Sequence, residues 1–111
     1  MSEFVEHLHE VLADFGPITS RRMFGGHGIY HRGLMFALVA DDELYFKADA
    51  RSAAAFSERG LDAFTYVKNG RAMHMSYRRA PEEIFDDRKS AREWATLAYE
   101  AALRGRKRKG R

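Results

Sequence analysis

The sequence predicts an α+β fold: an antiparallel sheet built from hairpins, packed with an N-terminal, a middle and a C-terminal helix. Three observations carry that reading. Asn69-Gly70, the preferred pair for a two-residue type I′ turn, joins two segments that alternate apolar and polar residues. Asp41-Asp42 separates two apolar runs of strand length, Leu34 to Ala40 and Glu43 to Ala48. Finally, residues 3–15 and the segment around 94–102 place apolar side chains at the three-and-four spacing of a helix face.

Taken in chain order, Phe4, Val5, Leu8, Val11, Leu12 and Phe15 form one stripe of a helix. Ser2 is its N-cap, Glu3 and Glu6 lie near the positive end of its dipole, and Gly16-Pro17 ends it. Thr19 to Met23 reads as a strand, Gly28 to Tyr30 as its continuation or partner, and His31-Arg32-Gly33 as a turn. In the next hairpin Ala40 faces Glu43, Val39 faces Leu44, Leu38 faces Tyr45 and Ala37 faces Phe46. Both of its faces are largely apolar, which predicts central strands covered by helices or by another chain. Residues 50–59, rich in alanine and followed by Gly60, predict the middle helix.

In the Asn69-Gly70 hairpin Lys68 faces Arg71, Tyr66 faces Met73 and Phe64 faces Met75. Phe64, Tyr66, Met73 and Met75 are expected in the core, and Thr65, Val67, Ala72, His74 and Ser76 on the more exposed side. Pro81 suits the first turn of a short helix leading to Phe85 and Asp86. A last helix from about Asp87 to Leu103 carries Trp94, Leu97, Ala98, Ala101 and Ala102 as its packing stripe.

Composition narrows the function. At 111 residues with 45% apolar content the chain fits one ordered domain, residues 1–103. Without cysteine it has no disulfide framework, thiolate zinc site or cysteine nucleophile. The N-terminus is acidic where a signal peptide is basic, and no apolar run reaches the roughly 18 residues of a membrane span. A cytoplasmic location, without a membrane partner, is the expectation.

Charge is unevenly spread. The net +3 includes six basic residues after position 103: Arg104, Arg106, Lys107, Arg108, Lys109 and Arg111. Taking those six from the 19 Lys and Arg leaves 13 against 16 Asp and Glu, a formal charge of −3 for residues 1–103. The segment 104–111 reads as a disordered basic tail able to make weak, non-specific contact with nucleic acid or another polyanion. It has no aromatic residue to stack on bases.

Four groups of residues could carry chemistry. Arg21, Arg22, Gly25, Gly26, His27 and Gly28 form the candidate ligand or partner site. Glycines in a strand signal a bulge, a positive φ or close approach of another backbone or a ligand, and consecutive amides beside two arginines could cradle an anion. The run lacks the lysine and hydroxyl of a P-loop and the spacing of a dinucleotide fingerprint, so a bulge is the first expectation. The histidines, His7, His9, His27, His31 and His74, lack metal-ligand spacing, and no metal or cofactor is expected. Ser76 and His74 share a strand face without a nucleophile elbow, and no catalytic residue is assigned. Glu82, Glu83, Asp86 and Asp87 read as complements of a helix dipole. The basic tail is the fourth group.

Arg21-Arg22-Met23-Phe24-Gly25-Gly26, Phe36-Ala37-Leu38-Val39, Leu44-Tyr45-Phe46-Lys47, and Met75-Ser76-Tyr77 ahead of Ala80-Pro81 together resemble the TfoX/Sxy N-terminal domain of bacterial competence regulators. The resemblance runs from the first helix to the last. It implies a small α+β domain in a family that regulates DNA-uptake genes in concert with a global transcription factor, with no agreed catalytic residues. Full-length regulators of that family carry a second, helical domain, so this sequence reads as a standalone member. The resulting expectation is a non-enzymatic regulatory or protein-interaction domain, its partner a protein such as a transcription factor, with homodimer formation through the sheet. The alternatives are a small-anion or ligand-binding protein or enzyme centred on Arg21, Arg22, the glycines and the Tyr66 hairpin, and a nucleic-acid-binding accessory protein acting through the tail.

Overall fold

The computed structural model describes residues 3–23 and 25–109; the side chains of residues 68, 72–75 and 107–109 lie outside that description, as do Ser2 and its expected capping role. Helix α1 (Glu3–Val11) is followed by strands β1 (Thr19–Met23), β2 (Gly26–His31), β3 (Leu34–Ala40) and β4 (Glu43–Lys47). Helix α2 (Ala53–Ser57), strands β5 (Ala63–Lys68) and β6 (Arg71–Arg79), a 3-10 turn (Glu82–Phe85) and helix α3 (Arg88–Lys109) complete the chain. The six strands form one antiparallel sheet in the order β1-β2-β3-β4-β6-β5, and the architecture is the expected α+β.

Turn chemistry explains much of this order. Arg32-Gly33, Asp41-Asp42 and Asn69-Gly70 each put two successive residues at positive φ, between 51° and 79°. That is the geometry that matches the right-handed twist of the strands they connect. The β3–β4 register is as expected at all four pairs, from Ala40 with Glu43 to Ala37 with Phe46. The two strands sit in the middle of the sheet.

Their inward face carries Ala37, Val39, Leu44 and Phe46, all in the main core with Val5, Leu8 and Leu12 of the N-terminal segment. Leu38, one residue off that pattern, is 3% exposed yet lies outside the main core, as the alternation of a strand requires. Phe36 breaks the alternation. The register between β2 and β3 shifts at Ile29 and Tyr30, leaving Phe36 as the extra residue of a bulge. Phe36 and Ala37 are consecutive, and both reach the core.

Helix α3 lies against β3 and β4. Asp87 caps its start, its carboxylate accepting from the backbone amides of Lys89 (3.0 Å) and Ser90 (3.2 Å). Ala91, Ala95 and Ala98 are fully buried and Ala102 nearly so, a stripe of small side chains that lets the helix approach the sheet closely. Larger groups pack at its margins: Trp94 stacks with Phe56 of α2 at 5.0 Å, and Tyr99 meets Phe15, His31 and Phe36 at 5.0–6.1 Å between ring centres.

Two expectations change. Phe64 and Tyr66 are half-buried instead of core, and Val67 is 65% exposed. Phe64 packs on Tyr45, ring centres 4.9 Å apart, and Tyr45 is the register partner of Leu38, so Phe64, and Tyr66 two residues on, lie on the sheet face turned away from the main core. The seam between β4 and β6 spans only Tyr45 with Arg79, Phe46 with Arg78, and Lys47 with Tyr77. The β5–β6 hairpin therefore runs on past the end of β4. Its expected Phe64–Met75 pair is replaced by a register shift between Ala63 and Thr65, although Tyr66–Met73 and Lys68–Arg71 pair as expected. The core placement of Met73 and Met75 and the exposure of His74 concern side chains outside the described set. Second, the expected disorder from residue 104 gives way to helix as far as Lys109.

Replacing Ala98 with leucine forces three more carbons between α3 and the sheet. The variant is expected to lose about 1–3 kcal/mol, read as a lower urea midpoint with an unchanged m-value.

Candidate functional site

The segment Arg21 to Gly28 forms the outermost hairpin of the sheet. Met23 pairs with Gly26, Arg22 with His27, and Arg21 with Gly28, so the pairing across the glycine run is regular and the expected bulge is not there. The bulge lies one strand further in, at Phe36. Close approach and a positive φ account for the glycines instead. Gly25 turns the chain at φ +75°. A Cβ on Gly26 would sit 1.9 Å from the Val39 carbonyl oxygen. At Gly28 the space a side chain would need is filled by Met23 and Met35.

Strand β2 is paired on both sides, with His27 opposite Val39 and Gly28 opposite Leu38 on its inner flank. What this hairpin presents outward is Arg21, Arg22 and the free edge of β1. Both arginines are exposed. They alternate across the strand: the Arg21 guanidinium lies 5.8 Å from the centre of the Tyr30 ring, on the sheet face turned away from the helices, while Arg22 falls on the other face beside His27. Tyr66 belongs to β5, at the opposite edge of the sheet, so Arg21 and the Tyr66 hairpin do not form one site. Phe24 lies outside the described residues.

The basic C-terminal segment divides. Arg104 is bound into the fold: its Nε and Nη2 donate to the Asp49 carboxylate at 2.7 and 2.9 Å, a half-buried bidentate pair. Asp49 also caps the turn into α2, accepting from the amides of Arg51 and Ser52 at 3.1 Å. The Arg104 hydrogen bonds, helped by those of Ser52 and opposed by burial, hold the Asp49 carboxyl well below the usual carboxylate range. Arg106 is exposed and makes no ion pair among the described residues. The side chains of Lys107, Arg108 and Lys109, and all of Arg111, lie outside the described set.

Several other polar groups are engaged within the fold. His31 is 8% exposed, wedged among Phe15 and Tyr99, and its Nδ1 donates to the Pro17 carbonyl at 2.7 Å. The Ser76 hydroxyl accepts from Lys47 Nζ at 2.6 Å. Glu83 is held by Arg59 and Ser90. Among the described residues no three His, Cys, Asp or Glu side chains converge as they would around a metal ion, and no helix is long and apolar enough to cross a membrane. Asp49, Lys47 and Tyr77 escaped the sequence reading. Their partners are 55, 29 and 30 residues distant in the chain (Arg104, Ser76 and Lys47), and no local pattern announces them.

A six-stranded antiparallel sheet with helices packed on its central strands, and an arginine-bearing glycine hairpin at one edge, defines a small α+β fold. The chain belongs to the TfoX N-terminal domain family, which matches residues 10–102. It is 32% identical over 77 residues to DNA transformation protein TfoX1 of Aliivibrio fischeri, covering 69% of this chain and 37% of that protein. It is 30% identical over 95 residues to Protein Sxy of Escherichia coli, covering 86% of this chain and 46% of that one. The chain thus spans less than half the length of either relative.

Substituting alanine at Gly26 drives a methyl group into the Val39 carbonyl, and the variant is expected to lose about 3 kcal/mol or more in chemical denaturation. The same change at Gly25, where only φ is strained, costs about 1 kcal/mol. Asp49→Asn keeps a capping oxygen and removes the charge. Because the native carboxyl titrates below its unfolded value near ~3.9, its contribution is complete above that range and fades as the pH falls through it. Wild type is expected to exceed Asp49→Asn by about 1 kcal/mol at neutral pH, a gap that closes steadily below about pH 4 in urea titrations.

Proposed function

We propose that this chain is a non-enzymatic regulatory domain that works in the cytoplasm by holding a protein partner along the open edge of β1. The observation that carries the proposal is the geometry of that edge. Strand β1 pairs only with β2 among the described residues, and it sends Arg21 to one side of the sheet and Arg22 to the other. A partner strand laid along β1 would find backbone donors and acceptors in the middle and a cation on each flank. This suits an extended segment carrying Asp or Glu.

The glycines support the reading indirectly. Gly28 is paired on both sides of β2 and Gly26 lies against the Val39 carbonyl, so they fix the hairpin's position and leave recognition to β1. The names of the relatives point to the process: TfoX1 is a DNA transformation protein. By that kinship we propose that this chain acts in DNA transformation through the portion it shares with those relatives; the transcription-factor partner is a separate part of the proposal, carried over from the family resemblance of the sequence.

Affinity purification from the native host tests this directly. Wild type is expected to capture a partner that the Arg21→Glu/Arg22→Glu double variant loses, while the variant keeps its circular dichroism spectrum and melting temperature. Disruption of the gene is expected to lower transformation frequency. Equal capture by the folded double variant would rule out the β1 edge, and an unchanged transformation frequency would remove the assigned process.

A further inference from the structure

A cleft of about 330 Å³ opens where the end of the sheet meets the last turns of α3. Leu34 and Met35 of β3 and Ala102 of α3 give it an apolar wall, and Lys47, Arg106 and Tyr77 bring polar groups to it from three other places in the chain. Its size is at the lower end of the range for small-molecule sites.

The two charged groups are both cations, and the third polar group is a neutral phenol. Lys47 is held by the Ser76 hydroxyl at 2.6 Å and lies 5.2 Å from the centre of the Tyr77 ring, which fixes where its ammonium sits. Arg106 comes without a carboxylate among the described residues. Tyr77 is 8% exposed, and its hydroxyl makes no hydrogen bond among the described residues. Burial, with the nearby Tyr30 adding to it, pushes the Tyr77 phenol up to about 12, so at neutral pH this group is a hydrogen-bond donor. Among the described residues no acid lines this cleft. A second cleft, of about 260 Å³ between α1 and β4, is lined instead by Asp42, Glu43, Glu82 and Asp86. The contrast shows that the cationic lining is local and does not reflect the charge of the folded domain as a whole.

We propose that the cleft binds a small anion with an apolar body: a carboxylate or phosphomonoester whose charged head meets Lys47, Arg106 and the Tyr77 hydroxyl, and whose aliphatic or aromatic part lies on Leu34, Met35 and Ala102. The site is separate from the β1 edge. Its floor is the sheet and its far wall is α3, so a bound ligand bridges the two layers close to the Asp49–Arg104 pair. Occupancy stabilises the seating of the helix end by mass action.

Titration of the full chain with octanoate and with phenyl phosphate, followed by amide NMR, tests the proposal, with 1-octanol and inorganic phosphate as controls. At least one of the two amphiphilic anions is expected to give saturable shifts at residues 34, 35, 47, 77, 102 and 106, with both controls about tenfold weaker or more. The tighter of the two anions identifies the head group. Lys47→Gln and Arg106→Gln are each expected to weaken binding about five- to tenfold, the scale of one lost charge-assisted hydrogen bond. Tyr77→Phe is expected to weaken it less. Absence of saturable shifts up to about 10 mM, equal binding of octanol, or unchanged affinity in both cation variants overturns the proposal. Should a variant fail to fold, the comparison of the four probes on wild type still decides.

Discussion

The close seating of α3 on the central strands is the constraint on which the rest of the molecule depends. Four alanines, Ala91, Ala95, Ala98 and Ala102, keep the helix near β3 and β4, and the larger groups are pushed to the margins of that contact. Trp94 closes one side over Phe56, and Tyr99 closes the other over Phe15, His31 and Phe36. A single stripe thus recruits α2, the end of the N-terminal segment and the β2–β3 hairpin into one core. It also fixes where the helix emerges, which places Arg104 against Asp49 and Arg106 at the rim of a cleft. The bidentate pair is modest in energy, but it ties the turn into α2 to the far end of α3, two segments 55 residues apart.

The parts of the fold legible in the sequence are those governed by local rules. Asn69-Gly70 and Asp41-Asp42 mark hairpins because two-residue turns demand particular backbone angles, and the register of each hairpin follows from its turn. The helices follow from the spacing of Val5, Leu8, Leu12 and of the late alanines. What the sequence hides depends on distant neighbours. The bulge at Phe36 has no glycine to announce it, because its cause is the need to bring two consecutive apolar residues into one core. The half-burial of Phe64 and Tyr66 depends on which face of the β5–β6 hairpin meets the main core once it pairs with β4, which alternation within a hairpin cannot report.

The same division runs through the candidate site. The Arg-Arg-Met-Phe-Gly-Gly run marks the family, and the structure gives its glycines physical work: Gly26 lies under the Val39 carbonyl and Gly25 makes the turn. The basic tail read as uniform in sequence, yet Arg104 is part of the folded domain and Arg106 lines a cleft with a lysine from β4. Charge counted along a chain says nothing about which cation has found a carboxylate. Here Asp49 takes one of the six and changes what the others can do.

The narrow seam between β4 and β6 has a consequence for how the chain folds. Four of the five strand pairings join neighbours in sequence through short turns, so each can zip up locally with little loop-closure entropy. The fifth joins residues about thirty apart and rests on three residue pairs. By connectivity the sheet is two pieces, a four-stranded meander and a lone hairpin, and the pairing that joins them has the highest contact order within the sheet. Helix α3, which follows all six strands in the chain, lies across β3 and β4 of that meander.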